Sequence, residues 1–197
     1  MRKIITVSRH YASGGREIGQ KLAERLGTGY YDHELLEEAA KNSGIHQSHF
    51  VENDEKRTNS FLYLLSTTYG QGGVPFDDSL FFATQNAVRK VASEEDCVII
   101  GRCADYALRD FKKVLNVFIT APLEVRVKRA VEVYGIAEKH AEDYVKRIDK
   151  QRVSYYNYYT DKRWGQPQNY HICLDSSALG IDGTVDLLEK FAGEYFK

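Results

Sequence analysis

Little in this chain offers a covalent or metal-bound framework. Its 197 residues hold three cysteines, Cys97, Cys103 and Cys173, with no C-x-x-C pair among them. An odd, widely spaced set of thiols reads as reduced and buried, not as a disulfide framework. Cys97 and Cys103 bracket an apolar run whose extended length, at about 3.3 Å per residue, keeps them too far apart to share a metal. Long apolar runs are missing too. No stretch approaches the roughly 18 residues of a membrane span, and the first apolar run ends by Val7, too short for a signal peptide. A cytoplasmic protein is the expectation. Nor is there an excess of one charge: the formal net charge is −1, with 28% charged and 43% hydrophobic residues. That balance argues against disorder and against a strongly basic nucleic-acid binder, while leaving local basic patches open. No internal repeat or low-complexity tract is found, and the length suits one α/β domain with an appendage.

What is present is organised around Ser8 to Gly19, SRHYASGGREIG. Ile4, Ile5 and Val7 before it are β-branched and bounded by a turn, as in a strand. Ile18, Leu22 and Leu26 after it recur every four residues and stop at Gly27, as in a helix. A strand, a glycine loop and a helix lets backbone N–H groups converge on an anion, because the first helical turn has orphan donors and a partial positive charge. Gly14 and Gly15 remove side chains that would hold a phosphate away. The pattern G-x-x-x-x-G-K-[ST] is absent as written. With Gly15 as its second glycine, His10 stands for the first, Arg16 for the lysine and Glu17 for the hydroxyl residue. A tight strand-to-helix turn without a ligand is the competing reading.

Further on, Thr28 to Asp32 fits a second strand and residues 33–44 a helix, with Asp32 either an N-cap or a ligand-facing carboxylate. His46, His49 and Glu52 share helical spacing, for which a solvated face suffices. Residues 58–78 hold clustered aromatics, Gly70, Gly72 and Gly73, without a sustained period, as in an insertion or a partner surface. Helical character returns over 79–92, with Phe81 and Phe82 expected in the core. Cys97 to Gly101 reads as a buried parallel strand. Arg102 at its tip must pair with a carboxylate, Asp105 being the candidate, or await an anion. Val114 to Thr120 is the next strand, and Pro122 and Glu124 open a helix carrying Arg126, Lys128 and Arg129. After Gly135 a second helix runs to about Tyr159. Ala141, Tyr144, Val145 and Ile148 form its apolar stripe, and Lys146, Arg147, Lys150 and Arg152 make it basic. A cationic lid and a solvated hairpin both fit. Ser154 to Trp164, rich in tyrosine, is expected to pack the hairpin on the core. Residues 170–174 read as the last strand and 183–196 as a closing helix.

Five short strands alternating with helices imply a parallel sheet wound on both faces, whose C-terminal strand ends form the ligand crevice. Loop 8–15, Asp32 and Arg102 all fall on that edge.

These segments, with VIIGRCADYAL, VFITAPLEVRVKR, IDKQRVSYYNYY and YHICLDSSALGI, resemble the cytidylate kinase-like family, a branch of the P-loop nucleoside monophosphate kinases. The resemblance implies one P-loop NTPase-type domain with its core in 1–57, 79–122 and 165–197, an acceptor-binding insertion at about 58–78 and a lid at about 123–164. It implies that Ser13, Gly14, Gly15, Arg16, Glu17 and Ile18 surround the donor phosphates, with Arg16 where related kinases use lysine. Asp32 and Arg102 would face the monophosphate, and Arg129, Asp149 and Arg152 would belong to the lid. Arg16, Arg102, Arg129, Asp149 and Arg152 form the implied catalytic set. ATP and Mg²⁺ are the implied cofactors, with Glu17 able to reach the metal through a water in place of the missing hydroxyl. The expected activity is ATP-dependent phosphoryl transfer to a CMP- or dCMP-like nucleoside monophosphate by a monomer or homodimer, with no nucleic-acid or membrane partner. A kinase for another small metabolite and a nucleotide-binding sensor with little catalysis are the alternatives.

Overall fold

The computed structural model describes residues 2–36 and 78–197. The second half of the expected helix at 33–44, the His46, His49 and Glu52 set and the insertion at 58–77 lie outside the described residues. The elements are β1 (Ile4–Arg9), α1 (Gly15–Leu26), β2 (Gly29–Tyr31), α2 (Asp78–Glu94), β3 (Cys97–Ile100), α3 (Ala104–Ala107), β4 (Val114–Thr120), α4 (Leu123–Glu132), α5 (Glu138–Tyr159), β5 (Ile172–Asp175) and α6 (Ser176–Tyr195). The strands form one parallel sheet in the order β2-β3-β1-β4-β5. Because β1 is central, the loop leaving it emerges between β3 and β4, where strand order reverses and a crevice opens.

Strand alternation divides the core between the two faces of the sheet. Ile5, Val7, Val98, Ile100, Leu115, Val117 and Ile119 meet Ile18 and Leu22 of α1 and Val185 and Leu188 of α6. Ile4, Cys97, Ile99 and Val114 meet Val88 and Ala92 of α2 with Ala104 and Leu108. Fully burying each large aliphatic side chain contributes about 1.5–3 kcal/mol, and this double layer fixes both faces of the central strands. α1 stops where expected, at Gly27, whose φ of 63° provides the left-handed C-cap.

The tyrosine-rich end of α5 packs inward, as expected. Tyr156 is buried with Phe81 and Cys103, and Tyr155, Tyr159 and Trp164 close around them. Phe81 and Tyr159 rings stack at 3.8 Å. Three expectations need correction. Phe82 is 62% exposed, because one further step of 100° around α2 turns it from the face that Phe81 buries. Cys173 is exposed while Cys97 and Cys103 are buried, since β5 is an edge strand and its second residue faces outward. The closing helix begins at Ser176, not 183. Asp175 caps it by accepting from Ser177 N at 2.8 Å, and the chain kinks at Gly180, where φ is 66°. That kink is what masked its first turns in the sequence pattern.

Candidate active site

The loop between β1 and α1 is fastened from three sides. Ser13 Oγ donates to His10 O at 3.0 Å and to Ile119 O at 3.2 Å. From α6, Ser176 Oγ donates to Ser13 O at 2.6 Å and to Thr120 O at 3.1 Å. From α5, Asp149 accepts the Tyr11 N–H at 2.7 Å. Gly14 is the N-cap of α1 with φ of 80°, and no side chain caps the helix. The first N–H to find a helical acceptor is that of Ile18, on Gly14 O at 2.9 Å. The amides of residues 15 to 17 therefore open outward as donors, which is an anion site in waiting. A Cβ at Gly14 would collide with Ile181 and lie 3.9 Å from Arg129 Cζ. Glycine is required there by φ and by space alike.

Unusual backbone clusters at this edge. Ala12, Arg102 and Cys103 are the non-glycine residues with positive φ among those described, at 58°, 59° and 53°. Such conformations cost about 1–2 kcal/mol each for L-residues and persist where the surroundings fix them, often at functional sites.

The expected site residues fall around this edge, though with partners the sequence did not indicate. Arg16 does not lie over the loop: its Nη2 donates to Asp32 at 2.5 Å, and its side chain is 57% exposed. Asp32, buried at the end of β2, also accepts from Glu34 N at 3.1 Å. It therefore caps a helical turn and holds Arg16 at once. Glu17 is engaged by Arg129 at 2.5 Å and by Lys21 at 3.5 Å. Asp149, besides holding Tyr11, pairs with Arg126 at 2.5 Å, and Arg126 also donates to Ala121 O at 2.9 Å. Arg152 Nη1 donates to the carbonyl of Arg9 at 2.8 Å. Arg102 sits at the end of β3 with its own carbonyl taken by Gln85 Nε2 at 3.0 Å. Asp105, the alternative partner considered for Arg102, accepts instead from the Tyr156 hydroxyl at 2.6 Å in the aromatic cluster. Burial first raises both of those groups' pKa values.

Two helices expected as a lid are thus already docked. α4 and α5 pack on each other through Ala130 and Val145, and Ala12 and Tyr11 of the loop join that cluster. Asp149 is the rivet between lid and loop.

Sequence reading missed Arg9. Its side chain leaves the end of β1, passes Gly15 and reaches Gly101: a Cβ at Gly15 would be 2.6 Å from Arg9 Cβ and 3.0 Å from Cγ, and a Cβ at Gly101 would collide with Arg9 Nη1. Burial first, then Arg152, Arg102 and Arg16, push its pKa well below the usual guanidinium value, with the Tyr30 hydroxyl opposing. Within the loop 8–15 it gave no signal of its own; the two glycines that make room for it could have.

The residues fit a polyphosphate: amides at a helix start and converging arginines. They fit Mg²⁺ less directly. Among the described residues no group of three His, Cys, Asp or Glu side chains could hold a metal, and the Ser13 hydroxyl, Glu17 and Asp32 are already engaged. A metal would arrive on the nucleotide.

The sequence profile of the cytidylate kinase-like family matches residues 4–178. The chain belongs to the cytidylate kinase-like family. A search of curated proteins finds no match. Among solved structures, an uncharacterized protein from Eubacterium ventriosum is similar with a TM-score of 0.76 at 29% identity, over 98% of this chain and 99% of that one. A shikimate kinase from Bacteroides thetaiotaomicron is similar at 0.57 and 13% identity, over 96% and 97%. A gluconokinase from Sinorhizobium meliloti follows at 0.54 and 14%, over 100% and 98%. At 13–14% identity the likeness is one of fold: the five-stranded parallel sheet of P-loop kinases, as the sequence led us to expect. Among the described residues no helix is long and apolar enough to cross a membrane.

Proposed function

We propose that this member of the cytidylate kinase-like family transfers the γ-phosphoryl group of ATP to a nucleoside monophosphate, with CMP or dCMP as the acceptor. The observation that carries the reading is the excess of arginine at one sheet edge. Arg152, Arg102 and Arg16 each act on Arg9, and Arg102 on Arg152, a like-charge repulsion that suits a site receiving two phosphate-bearing ligands. In the transfer, an acceptor phosphate oxygen forms the new bond to the γ-phosphorus as the bond to the β,γ-bridging oxygen breaks. ADP leaves with that electron pair. The acceptor dianion has no proton to surrender, so no general base is required, and the protein's part is positioning and charge stabilisation. The loop amides hold the donor, Arg152 and Arg129 approach from the lid, and Arg102 faces the acceptor. Mg²⁺, carried by the nucleotide, would supply charge neutralisation when bound.

A panel of CMP, dCMP, UMP, AMP, GMP, shikimate and gluconate with ATP and Mg²⁺ tests the reading by ADP formation. Turnover is expected with CMP or dCMP, and a preference for an acceptor without phosphate overturns it. The engagement of Glu17 by Arg129 favours one second reading, a nucleotide sensor. Calorimetric ATP binding with no product from any acceptor selects it.

A further inference from the structure

The structure aligns the loop differently from its spelling. Gly14 is the helix N-cap with positive φ, the place that the last glycine of G-x-x-x-x-G-K-[ST] takes just before the helix. Counting from Gly14, Arg9 stands at the first glycine of that pattern and Gly15 at its lysine. A cation and a glycine have exchanged positions across the loop. The space that a side chain at residue 15 would use is filled by the stem of Arg9, whose β- and γ-carbons would lie 2.6 and 3.0 Å from a Cβ there. Gly101, with φ of 70°, clears the far end of the same path, because a Cβ on it would collide with Arg9 Nη1. The guanidinium is thereby threaded from the loop towards the tip of β3. Among the described residues, the charges that weigh most on it are those of Arg152, Arg102 and Arg16, with the Tyr30 hydroxyl opposing them. By contrast Arg16, Arg126 and Arg129 each have a carboxylate at 2.5 Å.

We propose that Arg9 is the catalytic cation of this loop, doing from the end of β1 what a lysine at position 15 does in the ordinary pattern. A guanidinium does not deprotonate in proteins, so one half-buried beside other cations gains when an anion arrives. Its planar fork, held at its stem by Gly15 and at its tip by Gly101, is set to take two oxygens of the donor's terminal phosphate. Arg152 positions it by holding its backbone carbonyl at 2.8 Å. Arg16 instead braces α1 against Asp32. This assignment rests on the phosphoryl-transfer reading above and deepens it.

The test separates the two. Calorimetry with inorganic tripolyphosphate reads the cation without an acceptor or turnover, so it stands even if no acceptor in the panel reacts. Arg9→Met, which keeps much of the stem, is expected to weaken tripolyphosphate binding by at least about tenfold. If an acceptor is found, its kcat is expected to fall about 10²–10³-fold, the usual loss for one preorganised donor. Gly15→Lys alone is expected to lose binding as well, because the new side chain collides with Arg9. The double variant Arg9→Gly/Gly15→Lys, which writes the ordinary order back into the loop, is expected to bind at least tenfold more tightly than Arg9→Gly. Should Arg9→Met not fold, Arg9→Lys decides by retaining the charge and part of the binding. Wild-type tripolyphosphate binding in Arg9→Met, or no gain in the double variant over Arg9→Gly, overturns the proposal.

Discussion

The outer face where α1 meets α6 and the crevice at the C-terminal edge are both rich in charge, and they differ in how the charges are answered. On the outer face Lys21 and Arg25 have their carboxylates in or near solvent. Lys21 pairs with Asp182 at 2.8 Å, and Arg25 pairs with Asp186 and, at 3.3 Å, with Glu189. In the crevice the Arg126–Asp149 pair is enclosed, its side chains only 10% and 14% exposed, and Arg152, Arg102 and Arg16 act on Arg9. Exposed pairs tune little, because water and salt answer the charge as well as a partner does. Enclosed charge either holds a structure together or waits for a ligand, and substitutions can tell which.

The largest effect is expected from Arg152→Ala. It removes a cation from the crevice and the hydrogen bond to the Arg9 carbonyl. Turnover should fall about 10³-fold, at the lower end of what lid arginines contribute in phosphoryl transfer. Arg129→Ala should cost less, about 10²-fold, since Arg129 is shared with Glu17. Steady-state kinetics beside urea unfolding is the check. Loss of stability in proportion to turnover, or equal turnover in the alanine variants, would move these arginines out of the ligand-facing class.

Next comes Asp149→Asn. The carboxylate accepts from Tyr11 N and pairs with Arg126, so the amide leaves a buried guanidinium without its counter-charge. Breaking one partner of such a pair costs about 3 kcal/mol. Unfolding free energy should drop accordingly, and Arg126→Met/Asp149→Asn should recover part of the loss, a coupling that independent sites do not show. Asp149, expected among the catalytic residues, ties α5 to the loop through Tyr11 and to α4 through Arg126.

How much of this was legible beforehand depended on whether a residue's role is local. The strands at 97–101 and 114–120 and the capped helix at 15–26 announce themselves by β-branched runs, periodicity and a terminal glycine, which are short-range signals. The alternation of five strands with helices led to the sheet and its crevice, and the motifs in order along the chain led to the family. What could not be read was pairing across the fold. Arg16 was assigned to the phosphate by its neighbours in sequence, whereas Asp32, sixteen residues away, sets its direction. Asp105, offered as one of two answers to Arg102 by proximity in the chain, is taken by Tyr156, fifty-one residues on. Arg9 was hidden within the loop 8–15, because its space is created by glycines on two other segments.

A proton can probe the crevice wall where substitution is too blunt. His33 lies at the start of the helical turn after β2, facing Arg102 and Arg9. Burial first, then those arginines, lower its pKa from 6.5 to about 3. The unfolded chain therefore binds this proton at higher pH than the folded one. Stability is at its full value above about pH 6.5 and declines as pH falls towards 3. Chemical denaturation at pH 7, 6, 5 and 4 should show that decline, and His33→Asn should flatten part of it. A variant that keeps the full slope would mean that other groups carry the acid sensitivity and that the arginines do not bear on His33.

The smallest effect is expected where charge is best displayed. Arg25→Ala deletes a residue with two carboxylate partners, where one, Glu17, is described for Arg129, so a count of salt bridges ranks it above Arg129. Its surroundings reverse that order. Arg25 is 38% exposed and its partners 57% and 43%, and solvated pairs of this kind lose in side-chain entropy much of what they gain from Coulomb attraction. The urea midpoint should move only slightly, and the difference from wild type should vanish near 1 M salt, where the screening length is about 3 Å. The Asp149→Asn loss should persist at the same salt, because ions do not reach a pair enclosed between loop and lid. If instead the two variants lost stability alike and recovered alike with salt, the distinction between answered and enclosed charge would fail. Arg9 would then have no greater claim on an anion than any surface arginine.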